Sequence, residues 1–118
     1  MLYPLSLIWM KRIYLSAITI GEISFGLEKL KSTQKKKELQ NWLNNDLLKR
    51  FKNKIIDVDA EIMILWGSLN NTLKTTGRPM PIMDSLIGAT CQTKKFVLIT
   101  RNEKDFINVD IEVINPFK

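Results

Sequence analysis

Three features of the sequence predict an α/β layer fold with a mostly parallel sheet. Short β-prone runs alternate with amphipathic stretches in the order β-α-α-β-α-α-β-β. The run Phe96–Thr100 is continuously apolar until its polar end, as expected of a parallel strand covered on both faces. The 118 residues, 45% apolar and 25% charged, match a single globular domain, 1–118, with one core.

The elements follow in order. Leu2–Met10 is apolar apart from Pro4 and Ser6 and is followed by Lys11-Arg12. It is too short to span a bilayer, which takes about 20 residues, and its charge follows the apolar run instead of preceding it as in a signal peptide. A strand or the tail of a helix is the ordinary reading, with no membrane partner and a cytoplasmic location. Ile13-Tyr14-Leu15 is β-prone, and Ser16–Thr19 can cap a helix whose apolar stripe is Ile20, Ile23, Leu27 and Leu30. Glu22 then falls in the first turns of a helix that directly follows a strand.

Ser32–Lys37 reads as a lysine-rich connection, and a second helix carries Leu39, Trp42 or Leu43, Leu47 and Phe51 on its apolar face. Lys52-Asn53-Lys54 ends it before the strand Ile55–Val58. Asp59 reads as the N-cap of a third helix with Ile62, Leu65, Trp66, Leu69 and Leu73 inward. Thr75–Pro79 stops that helix, and Pro81 keeps the segment before Met83 non-helical. Asp84 opens a fourth helix through Leu86, Ile87, Thr90 and Cys91, Phe96–Thr100 follows as a strand, and Glu112-Val113-Ile114 is the last one.

Composition narrows the chemistry. One cysteine excludes an intrachain disulfide or a cysteine-rich zinc site, and the absence of histidine removes Ser-His or Cys-His nucleophiles and an imidazole base. Carboxylates with a hard metal ion are the remaining tools for hydrolysis. The formal charge is +6, with 11 basic and 6 acidic residues in 1–59 against 7 and 6 in 60–118. Such a balance permits an anionic partner, nucleic acid foremost, without requiring one.

In open α/β sheets ligands collect beyond the carboxyl ends of the strands. Glu22, Asp84, and Asn102 with Asp105 all fall at such ends. Each has an ordinary alternative: Glu22 a solvated helix surface, Asp84 an N-cap, Asp105 a turn residue. Together they repel one another unless a cation lies between them, and Mg²⁺ or Mn²⁺ suits an all-oxygen site. There is no glycine-rich phosphate loop among the five glycines, which argues against a general nucleotide-binding module.

Three segments resemble PIN-domain ribonucleases, in particular the VapC- and FitB-like toxins of type II toxin–antitoxin pairs. They are Ser16-Ala17-Ile18-Thr19-Ile20-Gly21-Glu22-Ile23-Ser24-Phe25-Gly26, Gly77–Thr90 around Pro81-Ile82-Met83-Asp84-Ser85, and Leu98–Phe106 followed by Val113–Phe117. The resemblance covers residues 13–118 and leaves 1–12 atypical. It implies a three-layer α/β/α fold and an endonuclease acting on single-stranded RNA or tRNA with Mg²⁺ or Mn²⁺. A cognate antitoxin and a homodimer are the implied protein partners. By this resemblance Glu22 is the second acid and Asp84 the third, both metal ligands. Asn102 stands where many relatives carry a fourth acid, with Asp105 as its substitute, and Thr100 supplies the pocket hydroxyl.

Relatives begin with a strand ending in a pattern like Leu-Asp-Thr-Asn, whose Asp binds metal. This chain has no acidic residue before Glu22. The expectation is an amino-terminally truncated fold, its central first strand missing or replaced by residues 1–10, with impaired nuclease activity. The alternative is a non-catalytic remnant that binds only antitoxin or RNA. Lys35, Lys36 and Lys37, with Arg78 and Arg101, are the candidate RNA contacts, although a solvated face accounts for such charges equally well.

Overall fold

A computed structural model of the chain describes residues 2–4, 14–31 and 33–115. The chain forms two compact units, one from Tyr14–Asp57 and one from the amino-terminal strand together with Val58 onward.

In the first unit, strand β2 (Leu15–Ser16) leads straight into helix α1 (Ala17–Glu28). Ser16 makes the turn: its backbone is extended and its Oγ accepts from the Ile18 N–H at 3.1 Å, satisfying one of the helix's unpaired donors. Helix α2 (Thr33–Asn41) continues through a π-helical segment, Trp42–Leu47, into α3 (Leu48–Arg50). The chain then turns at Asn53 (φ +66°) into β3 (Ile55–Ile56), which pairs parallel with β2 in the register Leu15↔Ile55 and Ser16↔Ile56. Leu15, Ile18, Leu27, Leu43 and Phe51 are its buried apolar residues.

Two expectations for this unit need correction. Thr33–Lys37 belongs to α2, not to a connection. Lys, Gln and Glu are good helix formers, and spaced pairs hold them, with Gln34 donating to Glu38 at 3.2 Å and Lys36 paired with Glu28 at 3.3 Å. The apolar face of the second helix is also thinner than its stripe. Leu43 and Phe51 are buried, while Trp42 stays 39% exposed. The π-helical turn shifts the helical phase there, which a regular 3.6-residue period does not anticipate.

In the second unit, α4 (Ala60–Thr75) packs on α5 (Ile82–Lys94), and β4 (Phe96–Ile99) lies between two neighbours. Asp59 caps α4 as expected, its Oδ1 accepting from the Ile62 N–H at 2.9 Å. Its Oδ2 meets Lys94 Nζ at 2.7 Å, tying the start of α4 to the end of α5. Helix α4 ends before Gly77, whose φ of +73° suits a residue without Cβ. Lys95, in the left-handed region at φ +58°, turns α5 into β4. A 3₁₀ turn (Glu103–Phe106) precedes β5 (Val113–Ile114). Ile62, Leu73, Ile87, Ala89, Cys91, Val97, Leu98, Phe106 and Val109 are buried.

The sheet of this unit has the order β1-β4-β5, with β4 and β5 parallel in the register Leu98↔Val113. Strand β1 (Leu2–Pro4) pairs with β4 antiparallel, Tyr3 opposite Val97. Of the two readings of residues 1–10, Leu2–Pro4 therefore form a strand, and residues 5–13 lie outside the described set. Among the described residues, two of the three strand pairings are parallel, in line with the expected mostly parallel sheet.

Candidate metal centre

Asp84 is positioned by the first turn of α5. The expectation that it opens the helix is off by two residues, because α5 begins at Ile82 and Asp84 is its third residue. Pro81 provides the extended residue before the helix (φ −53°, ψ 143°), so the carboxylate is not spent on capping. The turn is locked from within: Ser85 Oγ donates to the Ile82 carbonyl at 2.8 Å and accepts from Trp66 Nε1 of α4 at 2.9 Å. Ser85 is fully buried. Neither Trp66 nor Ser85 stands out as a site residue in the sequence. The available signal was a tryptophan on the inward stripe of α4, since a buried indole N–H needs an acceptor.

Asp105 is brought to the same place by the 3₁₀ turn that follows β4. Thr100, directly after β4, fixes the exit. Its N–H donates to the Ile114 carbonyl at 3.1 Å, and its Oγ1 accepts from the Asn102 N–H at 3.1 Å. The Asn102 carbonyl then accepts from the Asp105 N–H at 3.0 Å, which starts the turn. The far side of the turn is anchored on α5. Phe106 and Val109 are buried, and Val109 sits so close to Gly88 that a Cβ there would lie 3.2 Å from both Val109 Cγ1 and Cγ2. Any side chain at position 88 would press on Val109, which would have to give by a few tenths of an ångström.

The consequence is electrostatic. Asp84 is half-buried, and loss of hydration raises its carboxyl above the ordinary 3.8, with the negative charge of Asp105 pushing the same way. A cation between these two groups would relieve both effects. The donors are hard oxygens, and Mg²⁺ is commonly held by one or two carboxylates plus waters and substrate phosphate, so the pair fits such an ion. Among the described residues, no three His, Cys, Asp or Glu side chains are grouped for metal binding.

The other expected residues divide between the units. Glu22 is exposed in the second turn of α1, in the first unit. Thr100 is half-buried and Asn102 exposed, both at the carboxyl end of β4 beside Asp105. Thr100 acts on the turn's backbone, not on a carboxylate, in the contacts described above. Lys35 and Lys37 are exposed on α2, while Lys36 is engaged with Glu28. Arg78 follows Gly77 and is exposed, its N–H donating to the Leu73 carbonyl at 2.8 Å, and Arg101 is exposed next to Thr100. Among the described residues, no helix is long and apolar enough to cross a membrane.

Comparison with known proteins bears on the family. The family model for the PIN domain matches residues 5–112. Toxin FitB of Neisseria gonorrhoeae is 30% identical over 105 residues, 89% of this chain and 76% of that protein. VapC ribonuclease Y4jK of Sinorhizobium fredii is 28% identical over 106 residues, 90% of this chain and 76% of that protein. Among solved structures, FitAcB from Neisseria gonorrhoeae superposes with a TM-score of 0.82 at 29% identity, over 90% of this chain and 76% of that chain. VapBC2 from Rickettsia felis, solved bound to a promoter DNA fragment, gives a TM-score of 0.72 at 25% identity, over 87% of this chain and 74% of that chain. A family match over nearly the whole chain, with toxin relatives covered over most of their length, makes this chain a member of the PIN-domain family, of the VapC- and FitB-like type.

Proposed function

We propose that this chain is the toxin of a VapBC-type toxin–antitoxin pair, an endoribonuclease that hydrolyses RNA phosphodiesters with Mg²⁺ or Mn²⁺. The observation that carries the reading is Asp84, half-buried on the first turn of α5, whose carboxyl is raised by lost hydration and then by the negative charge of Asp105 on the turn beyond β4. Similar proteins named as a toxin and a ribonuclease support it. Asp84 and Asp105 would hold the ion, with Glu22 as the further acid implied by its motif. When bound, the ion supplies neutralisation of phosphodiester charge and activation of a water.

The chain's own residues do the rest. The Ser85–Trp66 bond holds the turn that aims Asp84, and Thr100 and Asn102 hold the turn that aims Asp105. Arg101 and Arg78 in one unit, and Lys35 and Lys37 in the other, are exposed and are the proposed phosphate contacts. The cognate antitoxin is the expected protein partner, since similar chains were solved as FitAB and VapBC assemblies, and a homodimer is the expected form. The site acts in the cytoplasm, where the RNA is.

Activity is expected to be weak. No acidic residue precedes Glu22 to supply the metal-binding Asp of the resembled motif, and even changes beyond the direct ligands cost roughly 10- to 100-fold in metal affinity or activity. The test is RNA cleavage by the purified chain with Mn²⁺, Mg²⁺ or EDTA, beside Asp84→Asn and Asp105→Asn. Slow cleavage that needs the ion and falls at least about tenfold in Asp84→Asn is the expected result. Cleavage in EDTA, or at an unchanged rate in Asp84→Asn, refutes the mechanism. RNA binding without cleavage by any version supports the binding-only remnant instead.

A further inference from the structure

Helix α1 carries a second feature on the face that bears Glu22. Glu22, Phe25 and Lys29 are spaced i, i+3 and i+7, so they share one side of the helix. Phe25 is 64% exposed, an unusual position for a large ring, and Lys29 Nζ lies 4.1 Å from the ring centroid. A Cβ at Gly21 or at Gly26 would meet nothing within 4 Å. The surroundings described here therefore do not force either position to be glycine, although glycine weakens a helix interior.

We infer that Phe25 is a base-stacking platform, and that Lys29 contacts the adjoining phosphate, so that single-stranded RNA is held along the Glu22 face of α1. The inference rests on the ribonuclease reading above and adds to it the residues that seat the substrate. Charge complementarity favours this occupant. An ammonium beside an exposed ring offers a nucleotide both a π face and a phosphate contact, and Lys31 is exposed just beyond. Stacking tolerates any base, so the platform grips single strands without reading their sequence, and a duplex, with its bases already stacked, gains nothing from it.

The test is fluorescence anisotropy of short labelled oligonucleotides in EDTA, which separates binding from cleavage. The probes are oligouridylate, an abasic oligomer of equal charge, and a duplex RNA. Phe25→Ala is expected to weaken oligouridylate binding about 5- to 100-fold, leave the abasic oligomer unchanged, and be rescued by Phe25→Tyr. Lys29→Gln should weaken both single strands and reduce the salt slope by about one ion. A thermal melt confirms that each variant is folded. Equal affinity of wild type and Phe25→Ala for oligouridylate overturns the inference, even if wild type cleaves RNA with Mn²⁺. A change in sedimentation of Phe25→Ala at unchanged affinity makes the ring a self-association contact and also overturns it. Failure of wild type to bind any probe refutes the ribonuclease reading together with this one.

Discussion

Replacing Gly88 by Ala tests how the turn bearing Asp105 is held against α5. Two effects oppose each other. Removing glycine from a helix interior stabilises by about 1 kcal/mol. The new Cβ, however, lands 3.2 Å from two methyl carbons of Val109, closer than ordinary contact, and Val109 is buried and β-branched, so it has little freedom to rotate away. Overpacking of this kind costs about 1–3 kcal/mol. The clash wins or breaks even, giving a net loss of roughly 0–2 kcal/mol. With an m-value of about 1–3 kcal/mol/M, the urea midpoint should fall by up to about 2 M. Val109→Ala removes both methyls, so in that background Gly88→Ala should stabilise by about 1 kcal/mol. The difference between the two backgrounds isolates the contact. The same effect of Gly88→Ala in both, or stabilisation of the otherwise unaltered chain by about 1 kcal/mol, refutes the claim that glycine is there for close approach.

Three further outcomes follow from the same unit. Burial and Asp105 raise the Asp84 carboxyl above its ordinary 3.8, so the folded state holds this proton more tightly than the unfolded one and stability falls as pH rises from about 4 through the raised value. In metal-free buffer, Asp84→Asn should remove that fall and raise Tm at pH 7 while abolishing cleavage; an unchanged pH profile of Tm contradicts the coupling. Trp66→Phe and Ser85→Ala should show a coupling of about 0.5–1.5 kcal/mol in a double-mutant cycle by urea melts, and additivity would mean that the Trp66–Ser85 bond adds nothing. The Cys91 thiol is buried and pushed up to about 12, so it should resist a thiol reagent at pH 8 until denaturant is added; rapid labelling of the folded chain would contradict its burial.

The places where sequence reasoning held and where it failed have separate causes. Caps were legible because they are local: Ser16 and Asp59 act on donors two and three residues away. The stops at Asn53 and Gly77 were legible for the same reason. The start of α5 was misplaced because Pro81 serves as the extended residue before the helix, a role that Asp84 usually takes in sequence patterns. The π-helical turn at Trp42–Leu47 broke the assumed period, and the lysine run 35–37 turned out helical because its pairs with neighbours outweigh its polarity.

The sequence by itself determined the toolkit of this protein. Without histidine and with one cysteine, hydrolytic chemistry would fall to carboxylates, and the motifs around Glu22, Asp84 and Asp105 nominate the proposed ones. Only the tertiary structure decided that Asp84 is half-buried and feels the negative charge of Asp105, 21 residues further along the chain. It also decided that Ser85, Trp66 and Gly88 hold them there, and that Leu2–Pro4 lie antiparallel beside β4. The physical reason is range. Caps and turns are set by hydrogen bonds a few residues long, whereas a carboxylate's ionisation depends on burial and on charges that only packing brings near.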